Sequence, residues 1–492
     1  MKKIVLSLIV FTMTATSTFA GGILTNTNQS VLFLKNPARD AAIGLDGVYS
    51  NPAGVAFLSD GFHVAFNWQY VHQTRTITST NPSFALGKKN NGESVKEFEG
   101  VATAPIVPSL QAAYNINNWS IQLNLSIPSG GGACEFADGL GSFESVVGNI
   151  GYMLLPLGAQ GYDMDGYMKG RQYYYGIQLG AAYKIYPNLS VYGGLRLLYG
   201  DAAYKAKISN IQVKTEGGYV DFSDYLQVTN ATITTNLEKV NAGIAQYQAA
   251  GIPVPEDLLL TQAKLESTKG SLNQLQKYAQ GVNLLCNQDG VGIAPIIGVD
   301  YKYKNFNFAA KYEFKTQIRM KNESTVNEAS EIAAVNKFRD GEKVNEDVPA
   351  MLTIGAQWKP IDVVSLNLGW HHFFDKNASW YGNTQDLLKH DSNEFLAGVE
   401  WDVTDKLNVS CGGQLTRYGL SDEYMNDMSF VVNSYSIGLG FSYKVKDNIT
   451  LSAGYFQTMY DDYDRTNYPS EGINDTFTRT NYVLGAGCQF DF

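Results

Sequence analysis

The side chains that could do covalent chemistry are few and poorly placed for it. The histidines are His63, His72, His371, His372 and His390, and none stands in a Gly-x-Ser-x-Gly or His-Glu-x-x-His context. A hydrolase needs a nucleophile with a base beside it, and no motif in the chain supplies that pairing. No glycine-rich phosphate loop follows a strand and opens a helix. Cys134, Cys286, Cys411 and Cys488 are too few and too scattered for a zinc site or a disulfide framework. The expectation is a protein that is not an enzyme and carries no metal or cofactor. One short motif does have local consequences: Val48-Tyr49-Ser50-Asn51-Pro52-Ala53-Gly54, preceded by Ala41-Ala42-Ile43-Gly44. Asn51 can cap a short helix whose first residue is Pro52, where the missing N–H and the fixed φ cost nothing.

The elements around these residues begin with a leader. Lys2 and Lys3 precede the apolar run Ile4 to Phe11 and the small residues ending Thr18-Phe19-Ala20, which reads as a secretory signal, residues 1–20, cleaved before Gly21. The run is far short of the ~20 apolar residues of a spanning helix, and no cysteine stands at the cleavage region for a lipid anchor. The composition is rich in Gly (48), Tyr (31) and Phe (24), and its 17% charge falls below the ~25% usual in soluble domains. A mean hydropathy of −0.17 and the lack of any apolar run near ~18 residues exclude a helical membrane protein. A transmembrane β-barrel passes that test, because each strand shows lipid an apolar side chain only at alternate positions. The net charge of −10 argues against nucleic acid as a partner.

From Gly61 onward, alternating segments are joined in turn by a very short connection and a long one. The strands predicted are 61–71, 106–117, 119–128, 172–186, 188–205, 289–303, 305–318, 347–359, 361–374, 392–402, 406–418, 429–445, 448–460 and 477–492. The short connections are Asn115 to Asn118, Tyr186-Pro187-Asn188, Lys304-Asn305, Lys359-Pro360, Thr404-Asp405 and Lys446-Asp447-Asn448. An even number of strands, with tight turns at one end and long loops at the other, is what an outer-membrane barrel requires. In the last strand Tyr482, Leu484, Ala486, Cys488, Phe490 and Phe492 share the face for lipid, and Arg479, Asn481, Gly485, Gly487, Gln489 and Asp491 share the lumen face. Tyr186, Tyr303, Trp358, Trp401 and Tyr443, near strand ends, fit an interfacial girdle. Cys411 and Cys488 fall on the lipid face and are expected unpaired, whereas Cys134 and Cys286 are expected in outer loops, where an oxidising compartment permits a bridge. Residues 21–60 are too irregular for strands. The stretch from Thr235 to Asn283 has helical spacing broken at Pro253 and Pro255, a helical hairpin in the long extracellular loop 206–288.

The C-terminus, Gln489-Phe490-Asp491-Phe492, resembles the targeting signature by which the outer-membrane barrel assembly machinery reads a last strand. An Asn-Pro-Ala shortly before the first strand, after a Gly/Ala-rich stretch, resembles the hatch of the long-chain fatty acid and hydrophobic compound transporters (the FadL/TodX, OMPP1-type family). A second Asn-Pro-Ala at Asn36 to Ala38 stands too far from the first strand, and Asn51 is favoured. The resemblance implies a 14-stranded antiparallel transmembrane barrel, all-β, with an N-terminal hatch (21–60) plugging the lumen of a barrel domain (61–492), large loops after strands five and seven (206–288 and 319–346), and a kink in the third strand. Here Ile127-Pro128-Ser129-Gly130-Gly131-Gly132 ends the third strand with a breaker run at Pro128. No local motif marks the family's carboxylate-binding residues. Arg479 on the lumen face and Lys315 or Arg319 near the outer end of strand seven are the candidates, since a fatty carboxylate in a low-dielectric pocket needs such a partner. The implied function is passive uptake of hydrophobic small molecules across the outer membrane by a monomer in outer-membrane lipid. The alternatives are a general diffusion porin or a surface adhesin on the same barrel.

Overall fold

The computed structural model describes residues 22–326 and 333–492, so the expected leader, residues 1–20, lies outside the described residues. Fourteen strands close into one antiparallel barrel. They are β1 Gly61–Thr80, β2 Val95–Ile116, β3 Trp119–Phe136, β4 Gly161–Tyr186, β5 Leu189–Thr215, β6 Val282–Tyr303, β7 Phe306–Glu313 continued after a break by Arg319–Val326, and β8 Met351–Ile361. The remainder are β9 Val364–Phe373, β10 Ser392–Asp402, β11 Leu407–Arg417, β12 Ser434–Lys446, β13 Ile449–Tyr460 and β14 Asn474–Asp491. Closure is complete, with β1 paired to β14 from His63 opposite Asp491 to Thr80 opposite Asn474.

The side-chain period of two sorts each strand between two solvents. On β12, Tyr435, Ile437, Leu439, Phe441 and Tyr443 are exposed on the outer face while Ser434, Ser436 and Gly438 are buried inside. The five girdle aromatics, Tyr186, Tyr303, Trp358, Trp401 and Tyr443, are all exposed at the end of the barrel that carries the short turns. An outer wall of Leu, Ile, Val and Phe would be intolerable in water and is what a bilayer requires, so the barrel is a membrane-spanning one. Among the described residues no helix is long and apolar enough to cross a membrane.

Several boundaries differ from those read in the sequence. The turn between β8 and β9 falls at Asp362-Val363, and Lys359-Pro360 forms an irregularity inside the end of β8, where a missing N–H is tolerated. β3 does not end at Pro128 but runs on to Phe136, because the glycine run bulges the strand without stopping it. β1, β2, β4, β5 and β6 extend well past their expected loop ends, where the parity of the apolar residues reverses: Met168, Tyr204, Ala206 and Ile208 are buried inside while Lys169, Lys205 and Lys207 are exposed outside. Cys134 and Cys286 therefore lie in β3 and β6 and not in loops, and all four cysteines are free. Part of the expected loop 319–346 is the outer continuation of β7, paired with β6.

The loop end carries the helices: α2 Gly141–Leu154 between β3 and β4, and the hairpin of α3 Phe222–Ala249 and α4 Glu256–Leu275 between β5 and β6. The hairpin starts thirteen residues before the expected Thr235 because Asp221 caps it, its side chain accepting from Ser223 N–H at 2.8 Å. Phe222, Tyr225, Leu226, Leu272 and Leu275 root the hairpin in an apolar core at the barrel mouth.

Candidate functional site

Residues 22–60 run inside the barrel and are held there by side chains that the strands present to the lumen. Asn51 is at the centre. Its Oδ1 accepts from Gly54 N–H at 3.2 Å, turning the chain into the 3-10 segment Gly54–Phe57, and its Nδ2 donates to Asp300 Oδ2 of β6 at 2.6 Å. Around it, Gln122 donates to the Pro52 carbonyl at 2.7 Å, Ser190 to Ala53 at 2.6 Å and Asn115 to Val55 at 2.8 Å. Asn307 binds the Ala41 carbonyl at 2.8 Å and Lys311 the Tyr49 carbonyl at 2.8 Å. A segment with so little regular structure leaves carbonyls without partners, and the polar lumen wall supplies them.

Charged groups add a second tier. Arg39 binds Asp46 at 2.7 Å within the segment and reaches Glu400 on β10. His371 on β9 lies between Asp40 of the segment, at 2.9 Å, and Glu394 of β10, at 2.8 Å. Arg196 on β5 pairs with Glu313 of β7, which also takes Lys311 at 2.7 Å. The other side of the segment fits by shape. The five-residue helix α1, Val31–Lys35, capped by Ser30, lies against β12 to β14. A Cβ on Gly438 would strike the Leu34 carbonyl, and one on Gly485 would come within 2.5 Å of the Leu34 side chain. Asn36-Pro37-Ala38, set aside in the sequence, lies in the lumen too, against Gly398 and Gly412 of β10 and β11.

The wall itself is incomplete at one place. β2 and β3 pair from Ile116 opposite Trp119 to Leu110 opposite Leu125, and resume only at Val101 opposite Glu135. Residues 102–109 and 126–134 face each other without a ladder. Pro105 and Pro108 stand on one edge and Pro128 on the other, positions where a proline has no N–H to offer. Gly130, at φ +108°, carries β3 through a backbone conformation closed to other residues. In place of β2, the N-terminal segment pairs with this stretch from within. Asn26 N–H donates to the Pro128 carbonyl at 2.8 Å and Gly130 N–H to the Leu24 carbonyl at 3.1 Å. Val107 and Ile127, on the two edges of the gap, belong to an apolar layer with Phe33, Leu34, Val71 and Phe456.

Towards the loop end the lumen becomes a large apolar core, with Tyr174, Leu198, Met320, Phe338, Trp380, Tyr424, Phe430 and Phe477 among its members. Loop carboxylates lie in it at a cost. Asp375 accepts from Ser392 N–H at 3.2 Å, yet burial pushes its carboxyl up to about 7. Asp427 accepts from Ser142 N–H at the start of α2 at 2.7 Å, and burial raises it as well.

The candidate ligand-binding residues part company. Arg479 is buried on the lumen side, donating to the Phe430 carbonyl at 3.2 Å and lying 4.9 Å from the Tyr460 ring centre. Directly opposite on β1 is Arg75, also buried, which donates to Gln73 Oε1 at 3.2 Å. The expected first strand, 61–71, stops short of Arg75. The parity of Arg75 with Gln73 and Ile77 on the lumen face was the available signal. Lys315 is engaged with the Asn377 carbonyl at 2.9 Å and with Asp347 at 3.4 Å. Arg319 is exposed, between buried Ile318 and Met320, and so points away from the lumen. Pro128 lies on the gap edge, and Phe490 and Phe492 stack at 6.4 Å at the end of the outer face of β14.

No family model and no curated relative matches this sequence. Solved structures do. A FadL homologue from Pseudomonas aeruginosa superposes with a TM-score of 0.60 at 12% identity, over 96% of this chain and 100% of that one. The Pseudomonas putida toluene transporter TodX gives 0.53 at 12% identity, over 96% and 99%, and the Ralstonia pickettii toluene transporter TbuX gives 0.50 at 12%, over 94% and 100%. The closed fourteen-stranded wall, the apolar outer band and these superpositions together give the chain the fold of the FadL and TodX outer-membrane barrels.

Proposed function

We propose that this protein carries hydrophobic small molecules, such as long-chain fatty acids or aromatic hydrocarbons, passively across the outer membrane. The observation that carries the reading is the interrupted β2–β3 ladder beside an apolar layer, in a barrel otherwise filled by its own chain. In this reading the leader 1–20 is removed, residues 21–60 serve as the hatch with Asn51, Pro52, Ala53 and Gly54 at its pivot, and 61–492 form the barrel. The short turns face the periplasm, and the last strand with Phe490 and Phe492 is what the assembly machinery reads. An apolar ligand partitions into the core at the outer mouth, where each buried methylene is worth roughly 0.8 kcal/mol. A carboxylate head, when the ligand has one, is met by Arg75 and Arg479, which lie opposite each other and buried on the lumen side. Lys315 can serve only at the rim, and Arg319 has no access to this path. When the segment Leu24–Asn26 withdraws from Pro128 and Gly130, the ligand leaves sideways into lipid, and no energy source is needed.

The filled lumen weighs against a general diffusion porin, which must conduct ions. Uptake of labelled oleate and toluene by cells with and without the chain, together with conductance of the purified protein in a planar bilayer, tests the proposal. Faster uptake with little steady current is expected. A large steady current, or uptake that does not depend on the chain, overturns it. Replacing Pro105, Pro108 and Pro128 by valine, so that the ladder can close, should slow uptake several-fold while leaving the folded barrel intact.

A further inference from the structure

The outer face of β4 and β5 changes character in a fixed order along the strands. On β4 the outward residues run Leu179, Ile177, Tyr175, Tyr173 and then Arg171, Lys169; on β5 they run Leu195, Leu197, Tyr199 and then, past Asp201 and Ala203, Lys205 and Lys207. Successive outward residues on a tilted strand rise roughly 5 Å along the bilayer normal. The four cations therefore start about one step above the outer tyrosines and lie where lipid phosphates lie. This is a local feature in a chain of net charge −10, since the outward residues of β2 at comparable distance from its turn include Glu97 and Glu99.

Two details separate this face from an ordinary solvated rim. Lys169 stands directly opposite Lys205 across the β4–β5 ladder, so that two like charges share the nearby Glu135 carboxylate. Lys169 is shared with Glu135 at 2.8 Å and Arg171 with Asp201 at 2.9 Å, but among the described residues Lys205 and Lys207 make no ion pair. Lys205 Nζ is held over the Tyr167 ring at 5.4 Å, beside its facing lysine. The nearby Asp165 is already bound by Lys89 at 2.5 Å.

We propose that Lys169, Arg171, Lys205 and Lys207 form a docking site for the phosphate groups of a phosphorylated lipid in the outer leaflet, seated with its chains on the Ile177, Leu179, Leu195 and Leu197 wall. The site rests on the membrane reading of the barrel but is separate from the transport path, being on the opposite face of the wall. The test uses the purified full-length protein exchanged with diphosphoryl lipid A or with the same glycolipid stripped of phosphate, with bound lipid counted by native mass spectrometry. Wild type should retain the phosphorylated lipid preferentially. Lys205→Gln with Lys207→Gln should lower that retention about 25-fold, at about fivefold per cation, and Lys205→Arg with Lys207→Arg should keep it. Equal retention of the two lipids by wild type overturns the proposal, as does displacement by millimolar inorganic phosphate, which would mark a site for the free ion. Retention of neither lipid overturns this proposal and the membrane reading together. Should the glutamine variant fail to show the heat-resistant folded band, the wild-type comparison of the two lipids decides alone.

Discussion

The two ends of the lumen are filled by opposite means. Towards the turns, an irregular segment is pinned by directional bonds: Asn51 to Asp300, Lys311 to the Tyr49 carbonyl, His371 between Asp40 and Glu394. Towards the loops, α2 and the connections after β9 and β11 pack Phe, Tyr, Met and Leu side chains into a mainly apolar core that also encloses pairs such as Lys337 with Glu346. A directional network has one good arrangement and loses much when one member is removed. An apolar core yields by degrees and can accept a foreign apolar guest. The difference teaches which end is built to hold still and which to receive.

The contrast can be broken most sharply at Glu313. Glu313→Ala leaves Arg196 and Lys311 buried without their carboxylate, and a loss of about 3–5 kcal/mol is expected from removing one member of a buried pair. The readouts are a lower unfolding temperature and a rise in ion current as the segment loosens; an unchanged current would mean the anchor is not needed to keep the lumen shut. Next in size, Gly438→Val drives a side chain into the Leu34 carbonyl, and overpacking of this kind costs about 1–3 kcal/mol. Thermal denaturation should show that loss here, whereas Gly193→Val, where nothing lies within 4 Å, should be close to neutral. Asn51→Ala leaves Asp300, among the described residues, with the Asn307 contact at 2.8 Å and should cost about 1–3 kcal/mol. Asp300→Asn with Asn51→Asp, which restores a donor and an acceptor, should recover much of it in the same assay.

The effect at the apolar end is confined to one loop and shows only with pH. Asp375 ordinarily titrates at 3.8 and is pushed up to about 7 by burial, so between those values the folded loop holds a proton that the unfolded loop does not. Its contribution is therefore most favourable below about pH 4, is lost as pH rises through 7 and is constant above. Hydrogen-exchange protection in residues 374–391, relative to the intrinsic rate at each pH, should fall across that window, and Asp375→Asn should flatten the dependence. A profile that is unchanged in the variant would show that the apolar core, and not this carboxyl, governs the loop.

How far the sequence could be read depended on which solvent a residue meets. Within the bilayer, lipid outside and polar contacts inside impose a strict period of two, and β12 or β14 could be read residue by residue. Above the bilayer the sorting reverses, with an apolar core inside and water outside. His72-Gln73-Thr74-Arg75 continues the parity of β1 but with no apolar face to mark it, so Arg75, the residue opposite Arg479, is legible only once the strand is extended. Pro128 and its glycines were visible as a disturbance, but a breaker run reads alike whether it ends a strand or bulges one.

By itself, then, the sequence determined the number of strands, their in-and-out parity, the short turns and the helical hairpin, because each follows from a local pattern of side chains or turn residues. Only the tertiary structure decided that Leu24 to Asn26 takes the place of β2 beside Pro128, that both Asn-Pro-Ala turns lie in one lumen, and that Arg75 faces Arg479. Each of these joins residues scores or hundreds of positions apart. Such contacts are fixed by barrel closure and by the satisfaction of buried polar groups, conditions on the whole ring that no window along the chain contains.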